Sequence, residues 1–110
     1  MISVLTLTYK RHHLLEEAIQ SFLSQNVLKD SEMVIINDNP DVEYVFDHPM
    51  VKIINYKNRF KSISEKLKWG YRQCKYDYIY RLDDDDLLTP WALKNVQIDI
   101  EINPGYDIYR

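Results

Sequence analysis

Four consecutive aspartates occupy residues 83–86, directly after the apolar segment 78–82 and shortly before Thr89 and Pro90. Carboxylates this close repel one another, and the repulsion is strongest where the local dielectric is low. Hard cations such as Mg²⁺ and Mn²⁺ prefer carboxylate oxygens and often bridge them to substrate phosphates. A solvated acidic turn is the alternative interpretation. The position at a strand end favours the metal site, because ligands of open α/β sheets bind outside the carboxyl ends of the strands.

A second acidic residue, Asp38, follows the apolar run 33–36 and stands among Asn37, Asn39 and Pro40. In a doubly wound sheet, the carboxyl ends of two such strands face one crevice near the first strand. Acidic groups in that crevice suit a nucleotide diphosphate: one carboxylate accepts a hydrogen bond from the base, another from the ribose hydroxyls, and a third holds a metal ion. Asp38 has a simpler alternative role, in an Asx-turn with the residues that follow it.

Hydrophobic periodicity predicts the elements that position these carboxylates. Strands are predicted at residues 2–8, 33–38, 51–56 and 78–82, with the opening of a fifth at 106–110. Helices are predicted at residues 14–23, 63–74 and 90–100, the last capped by Thr89 with Pro90 in its first position. This order predicts an α/β fold, with a mostly parallel sheet flanked by helices and right-handed crossovers. Because the chain stops inside a strand, we expect the N-terminal part of a longer architecture or an unusually small version of it.

Composition and short motifs exclude several classes of function. The 110 residues are 45% hydrophobic and 28% charged, with a net charge of −3, which is typical of one globular domain. The only two glycines, Gly70 and Gly105, exclude a glycine-rich phosphate loop. There is no basic stripe for nucleic acid, no apolar run near the roughly 20 residues of a membrane span, and no signal peptide. We therefore expect a cytoplasmic domain with no transmembrane segment and no nucleic-acid partner, in which the single cysteine, Cys74, is a buried inert thiol.

Four segments, in this order and at this spacing, resemble the nucleotide-sugar-binding half of a family-2 glycosyltransferase: residues 2–11, 14–19, 34–38 and 77–90. The resemblance spans essentially all 110 residues. It implies a Rossmann-like GT-A nucleotide-diphospho-sugar transferase fold, truncated after the Asp-x-Asp region. It also implies transfer of a hexosyl group from a UDP- or GDP-type nucleotide diphosphate sugar to an acceptor hydroxyl on a glycan, lipid or protein.

The resemblance implies specific roles for residues at the strand ends. Asp85 is the best candidate metal ligand for Mn²⁺ or Mg²⁺, and Asp83 either assists it or contacts ribose, a role that Asp84 shares. Asp38 accepts a hydrogen bond from the base. A basic loop near the base and the phosphates contains Arg59. The nucleotide-binding set implied by the resemblance is Thr8, Tyr9, Asp38, Lys61, Lys66, Asp83 and Asp84.

This sequence departs from the family pattern mainly in its loops. The Asn-x-Gly loop keeps Asn58 but has Phe60 in place of glycine, and its spacing to Gly70 is about two residues longer than usual. Other positions differ in residue type alone: Leu7 replaces Pro, Lys10 replaces Asn, Lys68 replaces Asn, and Tyr76 replaces Gly. These changes bear on loop conformation and on the choice of donor. They leave Asp38 and the aspartate run unchanged.

Catalysis by this family also needs a general base on the acceptor hydroxyl, which the resemblance assigns to a C-terminal half absent from this chain. We therefore expect residues 1–110 to form a single donor domain with no catalytic base of its own. One alternative is a non-catalytic nucleotide-sugar or partner-binding module that lacks the acceptor half. Another is a phosphotransfer domain with an aspartate nucleophile, but its Asp-x-Asp-x-Thr pattern fails at Leu87.

Overall fold

Strands and helices alternate along the chain. The computed structural model describes residues 2–10, 12–25, 30–76, 78–102 and 108–109. The elements are β1 (Ile2–Thr8), α1 (His12–Leu23), β2 (Ser31–Asn37), β3 (Val51–Asn55), α2 (Ile63–Gln73), β4 (Tyr78–Arg81), α3 (Ala92–Ile102) and β5 (Ile108–Tyr109). The predicted order of elements is confirmed, including the short fifth strand. None of the described helices is both long and apolar enough to cross a lipid bilayer.

The five strands form one sheet in the order β3-β2-β1-β4-β5, and every pairing between these strands is parallel. β1 therefore lies at the centre, with Ile2 paired to Ser31 of β2 on one side and to Tyr78 of β4 on the other. Because the strands are parallel, the carboxyl ends of β1, β2 and β4 meet at one edge of the sheet. The segments that follow β2 and β4 carry Asp38 and the aspartate run.

Both faces of the sheet are covered, as parallel sheets require. Side chains of β1 alternate between the two faces. Ile2 and Val4 are fully buried in a cluster that includes α1 and α3, whereas Leu5 packs in a second cluster with residues of α2. The central strand is thus held from both sides, and its carboxyl end has a rigid position.

Helix α2 lies very close to the sheet at Gly70. A Cβ atom at this position would lie 3.1 Å from Leu5 Cδ1 and 3.4 Å from Ile36 Cγ1. The absence of a side chain therefore allows the helix backbone to approach β1 and β2. This close approach places the preceding turn of α2 directly beside the ends of those strands.

Helix α3 begins at Ala92, two residues later than the predicted start at Pro90. The Thr89 carbonyl accepts hydrogen bonds from Ala92 N, at 3.1 Å, and from Gln25 Nε2, at 2.8 Å, so residues 89–92 form a turn before the helix. Gln25 Oε1 also accepts from Leu93 N at 3.1 Å. One glutamine after α1 thereby fixes the start of α3 and the segment that follows the aspartates.

Candidate functional site

Asp38 lies at the carboxyl end of β2, and its side chain is 1% exposed. Its Oδ1 accepts a hydrogen bond from Lys66 Nζ at 2.7 Å. Its Oδ2 accepts from Phe60 N at 3.0 Å and from Arg59 Nε at 3.2 Å. Both carboxylate oxygens are therefore held by groups from the loop after β3 and from α2.

Lys66 connects α2 to the ends of two strands. It is buried on the face of the helix that also carries Gly70. Besides its ion pair with Asp38, its ammonium donates to the Thr8 carbonyl oxygen at 2.8 Å. A buried ammonium is tolerated only when it is paired and hydrogen-bonded, and here both conditions are met. Lys66 thereby adds a side-chain link between the end of β1 and Asp38.

Burial and pairing act in opposite directions on this ion pair. Burial raises the pKa of Asp38, but the hydrogen bonds from Lys66 and from Phe60 N bring that pKa below its usual value. Burial lowers the pKa of Lys66, and this effect exceeds the stabilisation that its ammonium gains from Asp38. The carboxylate consequently remains charged and an acceptor at neutral pH.

Tyr9 follows β1 and lies beneath the guanidinium of Arg59, whose Cζ is 3.5 Å from the ring centroid. Lys10 Nζ lies 5.1 Å from the same centroid. The pKa of Tyr9 is lowered, first by the side-chain hydrogen bond with Arg59 and then by that with Lys10. Cation–π attraction accounts for the geometry, and Arg59 therefore links the ring of Tyr9 to the carboxylate of Asp38.

Lys10 adopts a left-handed backbone conformation, with φ of 61°. Asparagine tolerates this region better than lysine does, and asparagine is the residue that the family pattern usually has at this position. The turn after β1 thus keeps the conformation that suits the family residue. The departure at Lys10 changes the side chain that the turn presents.

Asp84 differs from the other aspartates of the run because it points into the protein. It is 7% exposed, and its Oδ2 accepts a hydrogen bond from Thr8 Oγ1 at 2.9 Å. The contact joins the turn after β4 to the end of β1. The Thr8 hydroxyl is therefore engaged within the protein, and so is one carboxylate oxygen of Asp84.

Asp83, Asp85 and Asp86 are exposed, and one carboxylate oxygen from each lies within 4.8 Å of the others. A hydrogen bond of 3.0 Å from Asp86 N to the Asp83 carbonyl closes the turn that gathers them. Three carboxylates that remain open to solvent fit a hard cation such as Mg²⁺ or Mn²⁺, which keeps some positions for water or phosphate oxygens. Asp86 thus joins Asp83 and Asp85, the two residues for which the sequence predicted a metal role.

The structure brings most of the predicted residues together, but not all of them. Direct contacts connect Thr8, Tyr9, Asp38, Lys66 and Asp84 through the described network, whereas the Lys61 side chain lies on the exposed side of the loop after β3.

Sequence reasoning missed two contributors to this network. The sequence could not predict that the backbone N–H of Phe60 donates to Asp38, because side-chain types do not reveal which backbone groups are donors at a site. Tyr44 is buried, and its pKa is raised by burial and then by the nearby charge of Asp84. It lies in an irregular segment between β2 and β3, where no periodic pattern marks a buried position.

Comparison with known sequences gives matches over nearly the whole chain. Residues 3–105 match the sequence model of the family described as glycosyl transferase family 2. An uncharacterized glycosyltransferase of Haemophilus influenzae is 30% identical over 109 residues, which cover 96% of this chain and 36% of that protein. The chain therefore spans about a third of the length of this relative.

Solved structures confirm the expected GT-A fold. S. aureus TarS 1-349 in complex with UDP-GlcNAc has a TM-score of 0.77 and 17% identity, covering 94% of this chain and 32% of that chain. The mannosyltransferase PcManGT of Pyrobaculum calidifontis, in complex with GDP-Man and Mn²⁺, has a TM-score of 0.72 and 18% identity. That likeness covers 90% of this chain and 32% of the mannosyltransferase.

Proposed function

This chain belongs to glycosyl transferase family 2, and from that premise we propose that it is the donor-binding domain of a hexosyltransferase. The donor is a UDP- or GDP-type nucleotide diphosphate sugar, bound with Mn²⁺ or Mg²⁺, and the acceptor is a hydroxyl group. The observation that carries the proposal is the cluster of Asp83, Asp85 and Asp86 at the carboxyl end of β4, one strand away from Thr8. The exposed carboxylates and the proposed nucleotide crevice therefore lie at the same edge of the sheet.

The base and ribose occupy the crevice between the ends of β1 and β2. Asp38 offers a charged acceptor, and the ring of Tyr9 with the Arg59 guanidinium offers flat surfaces for a base. Lys66, which is 4% exposed, binds both strand ends from inside the protein. A nucleobase that donates a hydrogen bond to Asp38 must displace one of the donors that Asp38 already has. Arg59 is the partner most readily exchanged, because its side chain is 51% exposed.

Asp85 and Asp83 hold the metal ion in this proposal, with Asp86 beside them. Three carboxylate oxygens on a solvent-facing turn form a donor set that suits Mn²⁺ or Mg²⁺. When bound, the ion supplies electrostatic stabilisation of the charge that develops on the departing diphosphate. Asp84 holds the turn that carries the exposed carboxylates to Thr8 through a side-chain hydrogen bond. The complex of PcManGT with GDP-Man and Mn²⁺ supports this pairing of donor and metal.

Residues 1–110 act as a single donor domain, and the general base for the acceptor hydroxyl comes from residues outside it. The match to about a third of a relative's length is consistent with a chain that forms one part of such an enzyme. A second candidate function is donor binding without transfer, as a non-catalytic module. The two functions can be distinguished by activity. Only the donor domain of a transferase gives sugar transfer or donor hydrolysis when an acceptor half is supplied.

Calorimetry with UDP-sugars and GDP-sugars, each in the presence of Mn²⁺ or Mg²⁺, tests the proposal. We expect saturable binding of one nucleotide class, abolished by EDTA. Asp85→Asn removes one ligand charge and should weaken metal-dependent binding by about tenfold or more, in line with the loss of one charged contact. Asp47→Asn is the matched control, because Asp47 is exposed in the segment between β2 and β3.

Two outcomes would contradict the donor-binding function. One is the absence of binding for both nucleotide classes with either metal ion. The other is a nucleotide affinity that Asp85→Asn and Asp47→Asn leave equally unchanged.

A further inference from the structure

A second pocket lies between the loop that follows β3 and the outer face of α2, and it shares Arg59 with the candidate nucleotide crevice. Its volume is about 420 Å³. The helix contributes positions 65, 68, 69 and 72, which recur at the spacing of a single helix face. The pocket is lined by Tyr56, Asn58, Arg59, Phe60, Lys61, Glu65, Lys68, Trp69 and Arg72.

The pocket is strongly positive. Four cations line it, Arg59, Lys61, Lys68 and Arg72, against one carboxylate, Glu65. The Glu65 carboxylate accepts a hydrogen bond from Lys61 N at 3.2 Å, so it is engaged with the backbone at the start of α2. Among the residues that the structure describes, only Arg59 of these four cations forms an ion pair. Three unpaired cations around one concave surface attract an anion.

Aromatic side chains form the apolar wall of the same pocket. The rings of Tyr56 and Phe60 are stacked, with centroids 4.5 Å apart and planes at 17°. The Trp69 ring lies 5.1 Å from Tyr56 and 5.6 Å from Phe60, tilted against both. All three rings are partly exposed. They therefore offer contact area to the organic part of a ligand, as aromatic walls do in small-molecule sites.

This pocket is separated from the metal-binding turn across the sheet. It adjoins β3, whereas the exposed aspartates follow β4, and the strand order puts β2 and β1 between them. Three spacings of about 4.8 Å amount to roughly 14 Å. A diphosphate at the acidic turn does not reach this pocket at the same time. The two sites also differ in sign of charge, since one gathers carboxylates and the other gathers cations.

We propose that this pocket binds an organic phosphate, in which a phosphate monoester is attached to a ring. A phosphate monoester carries about −1.5 to −2 charges at neutral pH, which matches several converging cations. The planar guanidinium of Arg72 donates hydrogen bonds to two phosphate oxygens side by side, and Lys61 and Lys68 add point charges. The aromatic wall of Tyr56 and Trp69 takes the ring. The phosphate belongs either to a free metabolite or to a lipid headgroup, and the site does not depend on the proposed donor function.

Fluorescence of Trp69 gives a direct test. In a Trp91→Phe background, Trp69 is the only tryptophan of the 110 residues. Titration with phenyl phosphate at constant ionic strength should change its emission saturably, whereas phenol should not. Replacing both Lys68 and Arg72 by alanine should weaken binding by about tenfold or more, because charged hydrogen bonds are lost. Lys94→Ala, an exposed lysine on α3, is the matched control and should leave the titration unchanged.

A vesicle experiment distinguishes the two sources of the phosphate, a lipid headgroup and a free metabolite. Sedimentation with vesicles that contain phosphatidylinositol 4-phosphate, whose inositol ring carries a phosphate monoester, but not with phosphatidylinositol vesicles, would assign the phosphate to a headgroup if the double variant loses this binding. Binding of phenyl phosphate without vesicle binding would assign it to a free metabolite.

Three results would overturn the proposal: an unsaturable response, equal affinity in the double variant, or displacement of phenyl phosphate by UDP with Mn²⁺. Asp85→Asn should leave the titration unchanged. Failure of the donor site and failure of this pocket are thereby distinguishable.

Discussion

Asp38 has three donors for its two carboxylate oxygens: the Lys66 ammonium, the Arg59 guanidinium and the Phe60 backbone N–H. A nucleotide base that uses this carboxylate gains a hydrogen bond only by displacing one that already exists. Its affinity for the site is therefore a difference between two hydrogen-bonding arrangements. The exposed Arg59 costs least to displace, whereas removal of the buried Lys66 would leave Asp38 Oδ1 without its charged donor.

Replacing Lys66 by methionine should lower the free energy of unfolding by about 3 kcal/mol, because it breaks a buried ion pair. The variant also leaves the Thr8 carbonyl oxygen without its ammonium donor. Urea denaturation of both proteins measures the change. Lys68→Met on the exposed face of the same helix is the control, with an expected effect within about 0.5 kcal/mol. Equal midpoints for the two variants would rule out a stabilising role for the ion pair.

The lowered pKa of Asp38 makes stability depend on pH in a defined direction. The charged carboxylate is favoured in the folded state, so its contribution is fully present above the ordinary value of 3.8. This contribution is lost as the pH falls below that value, through the lower pKa of the folded state.

Urea midpoints measured from pH 7 down to pH 3 should fall more steeply for the natural chain than for Asp38→Asn at the acidic end. Asp47→Asn, which removes an exposed carboxylate, should keep the steep profile. Parallel profiles for the natural chain and Asp38→Asn would contradict a stabilising role of the Asp38 carboxylate at acidic pH.

At the scale of elements, α2 serves two surfaces. Its inner face carries Lys66 and Gly70 against the sheet, and its outer face carries Lys68 and Arg72 in the positive pocket. The Ser62 hydroxyl accepts from Glu65 N at 3.1 Å and so satisfies an N–H group at the start of the helix. One helix therefore carries both a partner of the buried ion pair and one wall of the pocket.

Replacing Gly70 by valine should destabilise the protein by about 2 kcal/mol, because the added carbons would overlap tightly packed core atoms. Leu5 Cδ1 would already be only 3.1 Å from a Cβ atom. Thermal or urea unfolding measures the loss. Ser64→Val, an exposed position on the same helix, controls for the lower helix propensity of valine. A loss no larger than that of Ser64→Val would show that the helix can shift away from the sheet.

Periodicity predicted the elements well but their terminal turns poorly. Strand β1 matched its predicted span because buried aliphatic runs mark strands directly. Four identical aspartates, in contrast, do not indicate which side chain is buried and which are exposed. The structure shows that the turn closed by Asp86 N directs Asp84 toward Thr8. The start of α3 was misplaced because a distant glutamine, Gln25, holds the Thr89 carbonyl. Contacts between residues far apart in sequence leave no local pattern.

On the scale of the whole molecule, charge is unevenly distributed although the net charge is only −3. One end of the sheet edge presents exposed carboxylates after β4, and the other presents cations beside β3. Fields of opposite sign at the two ends orient a ligand before contact. The overall balance of the sequence predicted a mildly acidic domain, but only the strand order revealed this polarity.

Mn²⁺ should raise the melting temperature of the chain, because a ligand that binds the folded state stabilises it by mass action. At about a hundredfold excess over the dissociation constant the gain is about 2.7 kcal/mol, which corresponds to several degrees. Thermal unfolding with and without Mn²⁺, followed by EDTA, measures the shift. The Asp85→Asn variant should lose the shift and Asp47→Asn should keep it. A shift of equal size in Asp85→Asn would place the metal ion elsewhere.

The hydrogen bond between Thr8 and Asp84 joins residues 76 positions apart, and that between Lys66 and Thr8 joins residues 58 apart. Contacts so distant along the chain form only after long loops have closed, which makes them slow. A nascent chain has made β1 and β2 well before Asp84 is available to Thr8. The binding edge therefore needs β1, β2, β4 and α2 in place together, because its hydrogen bonds join residues from all of these elements or the turns that follow them. A nascent chain that has not yet reached Asp84 therefore lacks the acceptor of the Thr8 hydroxyl at this edge.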